Sequence, residues 1–414
     1  MSGYRVCVIG AGAAGLCAAR HLLVEPCVSQ VDILEQAAQC GGTWVYTEDV
    51  GYDSFGLPIH TSMYKSLRTN LPKEIMGFPD FPIPANEKSY LPAKDMLAFL
   101  QFEFIFYVQQ FRQHVQMVKP KPGEKWDVSY MNLENGKITN KEYDYVMVCN
   151  GHYNTPYIFV ILGDVMHSHD YRVPEIFTGK KVVVIGAGPS GMDIAYEITE
   201  VTEKVILSHH LKDKPRTVFP DNLVQKPDVK ELRGKTAIFD DGTSEEIDVV
   251  FLCTGYLYNF PFLDKSCDIV VEDNCVEPLY KHLVNIHHPT MCFIGVPYYV
   301  CAFSMFDLQV RYYVRSMNGT FKLPSSQQMK EAWEEEKIER ASRGYTKRQA
   351  HMMGPDQAEY YSTLSEESGA LPLPPVFTKV HNDSSDMFLH RLECYRNDIY
   401  VILDDENFIR KTVA

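Results

Sequence analysis

A strand-like apolar run, Tyr4-Arg5-Val6-Cys7-Val8-Ile9, leads into the turn Gly10-Ala11-Gly12-Ala13-Ala14-Gly15. Helical spacing of apolar residues follows over 16–23, then a second strand pattern, Val31-Asp32-Ile33-Leu34-Glu35. The same order of elements returns later in the chain. Lys181-Val182-Val183-Val184-Ile185 predicts a strand, Gly186-Ala187-Gly188-Pro189-Ser190-Gly191 a turn, 192–199 a helix and Lys204-Val205-Ile206-Leu207 another strand. Two buried strand patterns, 143–151 and 246–255, each end in a polar turn and are expected to close the unit before them. A further apolar run, 291–296, suggests that the chain then returns to its first unit. Residues 64–92, rich in Pro, Phe and turn formers, predict an irregular excursion. The charged stretch 325–340 predicts a helix whose run Glu334-Glu335-Glu336 is a solvated face.

This pattern implies an α/β chain with two Rossmann-like dinucleotide-binding domains, the smaller inserted into the larger. The expected division is 1–167 and 282–414 for the first domain and 168–281 for the insertion. With 414 residues, 45% of them hydrophobic, the chain has ample material for two cores. A net charge of −14, from 54 acidic and 40 basic residues, disfavours nucleic acid as a partner, because phosphate binding needs clustered cations. The eleven cysteines are scattered without C-x-x-C spacing, so neither a disulfide framework nor a zinc ribbon is indicated, and no metal site is expected. The N-terminus enters its first strand at once, leaving no room for a signal peptide. No apolar run approaches the roughly 20 residues of a spanning helix; Asp164, for instance, follows the run 157–162 closely. A soluble, cytoplasmic protein is the expectation. The triplets Asn318-Gly319-Thr320 and Asn382-Asp383-Ser384 match a glycosylation pattern that arises readily by chance.

In Gly10-x-Gly12-x-x-Gly15 the first glycine permits the tight turn, the second lets the backbone approach a pyrophosphate, and the third lets helix and strand pack closely. Ala14 lies within the same turn. The pyrophosphate would sit on the helix N-terminus. Glu35 follows about 20 residues later, where an acid accepts hydrogen bonds from a ribose. Gly186-x-Gly188-x-Ser190-Gly191 has the same context and a different ending: Ser208-His209-His210-Leu211-Lys212 offers hydroxyl and cationic groups and no carboxylate. That favours a 2′-phosphate, hence NADPH over NADH. One flavin nucleotide and one nicotinamide nucleotide imply hydride transfer from NADPH to FAD. No redox cysteine pair is present to receive the electrons, which leaves oxygen as the natural acceptor.

These residues resemble the flavin-containing monooxygenases, most closely their insect members, among which are pyrrolizidine-alkaloid N-oxygenases. The family stretch F-x-G-x-x-x-H-x-x-x-Y/F is matched by Gly163, His167 and Tyr171, with Ile161 at the leading position and Phe159 two residues earlier. Tyr171 in place of Trp separates the chain from the Baeyer–Villiger relatives. Four further blocks agree. Cys40-Gly41-Gly42-Thr43-Trp44 resembles a flavin-contacting segment, and 67–74, with Asn70, the active-site block. Cys253-Thr254-Gly255-Tyr256 resembles the family linker, and Phe306-Asp307-Leu308-Gln309 the flavin-proximal helix start. The resemblance implies that FAD, reduced by NADPH, takes up oxygen as a C4a-hydroperoxide and passes one atom to a soft nucleophile. A tertiary amine is the leading candidate and a thioether the weaker one. Asn70 would stand over the flavin as an uncharged donor and acceptor. Gly42, Thr43, Trp44, Thr254, Gly255, Tyr256 and Gln309 would line the cofactors. Two alternatives stand beside this reading: an NADPH oxidase, which would share every motif and release hydrogen peroxide, and a Baeyer–Villiger-type monooxygenase. A homo-oligomer is compatible with the sequence.

Overall fold

The computed structural model describes residues 3–104, 110–159, 165–212 and 214–412. The first glycine unit is β1 (Tyr4–Ile9), α1 (Ala13–Leu23) and β2 (Val28–Leu34). Helix α2 (Ala93–Phe104) and an antiparallel sheet of β3 (Gln113–Lys121), β4 (Lys125–Asn132) and β5 (Ile138–Tyr143) lead to β6 (Tyr145–Val148). The second unit holds β7 (Val165–His167), β8 (Lys181–Ile185), α3 (Pro189–Ile198) and β9 (Lys204–Ser208). It continues through β10 (Leu223–Lys226), a small sheet of β11 (Val229–Arg233), β12 (Thr236–Phe239) and β13 (Ser244–Glu246), and β14 (Val249–Leu252). After the hairpin β15 (Val270–Glu272) and β16 (Cys275–Glu277) come β17 (Leu279–Tyr280), β18 (Val284–Asn285) and β19 (Met291–Phe293). Helices α4 (Ala302–Met317), α5 (Ser326–Ser342), α6 (Gln357–Ser368) and α7 (Pro375–His390) precede a last hairpin, β20 (Ile399–Ile402) and β21 (Phe408–Lys411).

Two sheets organise the chain. The first has the order β17-β18-β19-β6-β1-β2, and its four strands from β19 to β2 run parallel. The second, β10-β9-β8-β14-β7, is parallel throughout. Helices cover the faces of such sheets, so central strands such as Lys181–Ile185 are nearly continuous apolar runs with no polar alternation. α1 and α4 bury Leu16, Leu22, Leu308 and Tyr312 in the first core, while α3 buries Met192, Ile194 and Ile198 in the second.

Where elements differ from expectation, local chemistry accounts for it. The apolar run 143–148 is split at Asp144, whose carboxylate accepts the Arg5 N–H at 2.7 Å, so Tyr143 ends β5 and β6 starts anew. β6 does not close its sheet, because β19 pairs with it in parallel on the side away from β1. β19 stops at Phe293. Gly295 turns the chain with φ +86°, and a Cβ there would lie 2.7 Å from the Phe306 ring. α5 begins one residue after Ser325, which forms a reciprocal capping box with Gln328.

Candidate functional site

The two glycine turns have almost the same backbone. Gly10 has φ +100° and Gly186 φ +104°, a region open chiefly to glycine. A Cβ on Gly15 would lie 1.9 Å from the Gly10 carbonyl oxygen, and one on Gly191 1.8 Å from that of Gly186. α1 and α3 start at Gly12 and Gly188 with no side-chain cap. Their first N–H groups therefore lack a side-chain acceptor, the arrangement that binds an anionic pyrophosphate. Ala14 is buried in the first turn of α1, and Ser190 is half-buried in that of α3. A Cβ on Gly188 would meet nothing within 4 Å, so the approach to the second loop is open.

The first loop is pinched against the 40–44 segment: a Cβ on Gly12 would stand 3.5 Å from the Cα of Gly42, and Gly41 N–H donates to the Ala11 carbonyl at 2.9 Å. Thr43 has a buried hydroxyl without a hydrogen-bond partner, and its carbonyl accepts from the Thr61 hydroxyl at 2.6 Å. Trp44 packs on the first core. The buried Glu35 carboxylate accepts the N–H groups of Ala11 and Ala37, each at 2.7 Å. Burial pushes its carboxyl up, against those two hydrogen bonds. A carboxylate offers about four lone-pair sites, so ribose hydroxyls can still be accepted beside the two backbone donors.

At the matching place in the second unit the structure corrects part of the expectation. Ser208 is fully buried and donates its hydroxyl to the Pro227 carbonyl at 2.8 Å. His209 bonds Gln225 through Nε2 at 3.0 Å and accepts the Leu211 N–H at Nδ1. Both side chains are thus engaged inside the protein and turned from a 2′-phosphate. His210 is exposed and pairs with Asp228 at 3.0 Å. Lys212 is exposed, and the same loop brings two exposed cations that the sequence reading stopped short of, Lys214 and Arg216. Among the described residues none of these three has an ion-pair partner.

Between the units, the segment after β14 faces the start of the second unit. The Thr254 hydroxyl donates to the Tyr157 carbonyl at 2.5 Å, which turns it from any ligand. Gly255, at φ +80°, accepts hydrogen bonds from His167 Nε2 at 3.1 Å and from Tyr157 N–H at 2.9 Å. Tyr256 meets His167, His169 and Tyr153 edge-on. Burial pushes His60, His152 and His167 each down to about 4, with the neighbouring His169 adding to the shift at His60 and His167. Burial also pushes the Tyr256 phenol up to about 12. At neutral pH these three imidazoles and the phenol form a wall of uncharged rings, flanked by the His169–Asp170 pair at 2.9 Å. Arg172, which sequence reasoning missed, holds it together from beneath: the buried guanidinium donates to the carbonyls of Thr47, His169 and Tyr171 within 2.9 Å and to those of Asp49 and Thr61 slightly further off.

Asn70 is exposed in an irregular loop, and no described residue hydrogen-bonds its side-chain amide. The loop itself is fixed: Thr69 N–H donates to the Leu91 carbonyl at 2.8 Å, and the Asn70 carbonyl accepts from Ser384 at 3.3 Å. Gln309 is a second correction. It is fully buried, accepting the Gly295 N–H at 2.9 Å and donating to Tyr360 at 2.7 Å, so its amide clamps two chain segments and presents no surface to a cofactor. Of the family stretch, Ile161, Gly163 and Asp164 lie outside the described residues, whereas Tyr171 is buried and donates to Glu197 at 2.5 Å. Among the described residues, Cys17, His21 and Asp307 bring ligand-type atoms within 4.8 Å of one another. Arg20 and Arg311 already pair with Asp307 at 3.1 and 2.7 Å, so the group is an ion-pair cluster.

Two parallel-sheet units, each opening on a glycine-loop helix without a side-chain cap, define the class of two-dinucleotide flavoenzymes. The model of the flavin-binding monooxygenase-like family matches residues 3–212 and 209–385, and the chain belongs to that family. It is 36% identical to the senecionine N-oxygenase of Tyria jacobaeae, covering 99% of this chain and 92% of that protein. It is 37% identical to the flavin-containing monooxygenase FMO GS-OX5 of Arabidopsis thaliana, over 89% of this chain and 85% of that one. The structure of S-allyl-L-cysteine S-oxygenase from Allium sativum matches with a TM-score of 0.88 at 33% identity, over 96% of each chain. A cyclohexanone monooxygenase, 13% identical with a TM-score of 0.63 over 89% of this chain and 99% of its own, shares the fold alone. The chain is accordingly a monooxygenase working with FAD, NADPH and O2 on a small molecule. Among the described residues no helix is long and apolar enough to cross a membrane.

Proposed function

We propose that this monooxygenase transfers its oxygen atom to a neutral soft nucleophile, with a tertiary amine nitrogen as the preferred acceptor. The observation that carries this reading is the set of neutral rings in that wall: His60, His152 and His167 held neutral by burial beside a protonated Tyr256. Burial beside neutral rings disfavours an ammonium ion relative to its free base, and only the free base has a lone pair to give. The full-length likeness to a senecionine N-oxygenase supports nitrogen.

In this reading FAD lies along Gly10, Gly12, Ala14, Gly15 and Glu35 and reaches Gly42, Thr43 and Trp44. The Gly12–Gly42 approach, where a Cβ on Gly42 would lie 2.9 Å from the Gly12 Cα, and the unpartnered Thr43 hydroxyl fit such a group. NADPH takes the open loop of Gly186, Gly188, Ser190 and Gly191, with Lys212, Lys214, Arg216 and His210 for its 2′-phosphate. The sheet memberships support an inserted unit that runs from β7 to β14, shorter at its end than 168–281, because β17 already pairs in the first sheet. Bound FAD, reduced by NADPH, supplies the activated oxygen. The protein supplies position and dryness, with the free Asn70 amide orienting the reactants without protonating them. A thioether is the second reading, supported by the likeness to S-allyl-L-cysteine S-oxygenase.

The test is product analysis by mass after the FAD-loaded protein meets NADPH, O2 and a matched panel of tertiary amines and thioethers. N-oxides are expected. Sulfoxides alone would move the assignment to sulfur, peroxide without product to an oxidase, and an ester from a ketone to Baeyer–Villiger chemistry. Asn70→Ala is expected to keep FAD and melting temperature while diverting NADPH consumption to hydrogen peroxide; unchanged coupling would remove Asn70 from the reaction.

A further inference from the structure

Helix α3, which opens on the second glycine loop, carries Asp193 and Glu197 one turn apart and hence on one face. Both carboxylates reach the loop that bears Asn70. Glu197 accepts the hydroxyls of Ser66 and, at 2.5 Å, Tyr171. Asp193 accepts the Tyr64 hydroxyl and both arms of the Arg396 guanidinium, at 2.5 and 3.0 Å. The third guanidinium nitrogen of Arg396, Nε, donates to the Thr69 carbonyl at 3.1 Å, and Arg68 donates back to the Arg396 carbonyl at 2.7 Å. Arg396 and Asp193 are only 16% and 15% exposed, so this bidentate pair is both strong and directional.

Asp193 stands four residues beyond the first residue of α3, about 6 Å along the axis. Whatever fixes the helix N-terminus, such as a pyrophosphate on its free N–H groups, fixes Asp193 through a rigid element. From Asp193 the path runs through one guanidinium to the peptide next to Asn70. We propose that Arg396 is a positioning residue of the oxygenation site, carrying occupancy of the second nucleotide loop to the Asn70 loop. This rests on the reading of Asn70 given above, and the coupling is reciprocal by linkage.

The experiment is hydrogen–deuterium exchange on the FAD-loaded full chain, with and without NADP+, read at residues 66–72 and at 186–192. In the native protein NADP+ is expected to slow exchange in both segments, roughly tenfold at 66–72, as suits one charge-assisted contact network. In Arg396→Met the protection at 186–192 persists and that at 66–72 is lost. Arg396→Lys, with one point donor for the planar fork, is expected to fall between them. A paired variant, Asp193→Asn with Arg396→Met, leaves no lone buried charge to unfold the protein and is expected to behave as Arg396→Met does. Undiminished protection of 66–72 in the paired variant overturns the proposal. So does loss of protection in both segments, which would make the pair a general brace. Peroxide release separates the two readings: if Asn70→Ala stays fully coupled, the role of Asn70 fails, while the exchange data still judge the relay.

Discussion

The two glycine units solve one backbone problem in the same way and then diverge. Their first glycines differ by only a few degrees in φ, and their third glycines abut the carbonyl of the first with nearly equal closeness. The difference comes at the end of the following strand. There Glu35 anchors the first turn through the Ala11 N–H, whereas Ser208 turns inward to Pro227 and leaves a loop of exposed cations. The turn builds an anion site without saying whose anion it is, and the strand end some 20 residues on makes the choice.

The largest expected effect tests the shared part. Gly15→Ala and Gly191→Ala each drive a methyl into backbone that no rotamer change can relieve, at a cost of about 3 kcal/mol or more. Gly15→Ala should emerge from gel filtration without its flavin absorbance. Gly191→Ala should stay yellow while NADPH-driven flavin reduction falls by about two orders of magnitude or more. If both variants lose flavin alike, the units are not separable ligand sites.

What was legible in the sequence follows the same division. Glycine turns, their flanking strands and helices, and Glu35 at its proper distance are set by residues close in the chain, so pattern alone exposes them. Ser208 and His209 were read outward because nothing local shows that Pro227 and Gln225 wait beside them on β10 and its connection. Arg172 and Arg396 were invisible for a like reason. Most of their partners, Thr47 and Asp193 among them, lie more than a hundred residues away, and an arginine's neighbours over such spans depend on how the sheets meet.

A middle-sized pair of effects probes the divergent strand ends. Glu35→Gln keeps the shape and removes the charge that receives two backbone donors, so FAD affinity should fall roughly tenfold to a hundredfold in equilibrium titration. Lys212→Glu and Arg216→Glu should raise the KM for NADPH about tenfold each while that for NADH changes little. Equal losses with both coenzymes would dismiss the 2′-phosphate reading and leave the two strand ends undistinguished.

The smallest effect concerns a likeness between the units. In each unit a parallel strand, β6 or β14, runs toward a glycine at positive φ, Gly151 or Gly255, and a histidine faces each: a Cβ on Gly151 would lie 3.7 Å from His60 Nε2, and His167 Nε2 donates to the Gly255 carbonyl. Both imidazoles are pushed down to about 4, chiefly by burial, from an unfolded value of about 6.5. A depressed histidine adds stability that is complete above the unfolded value, where neither state is protonated, and is lost as pH falls through the folded one. The melting temperature of the FAD-loaded protein should therefore drop as pH is lowered from 6.5 toward 4. His167→Gln and His60→Gln should each flatten that slope, by about 2–4 °C across the window. The His167 share should be the larger, because Nδ1 already accepts the His169 N–H at 3.0 Å, and protonation would set a second donor against it. Equal flattening by the two variants would mean that burial alone governs both imidazoles and that the bonded ring of the second unit gains nothing from its partners.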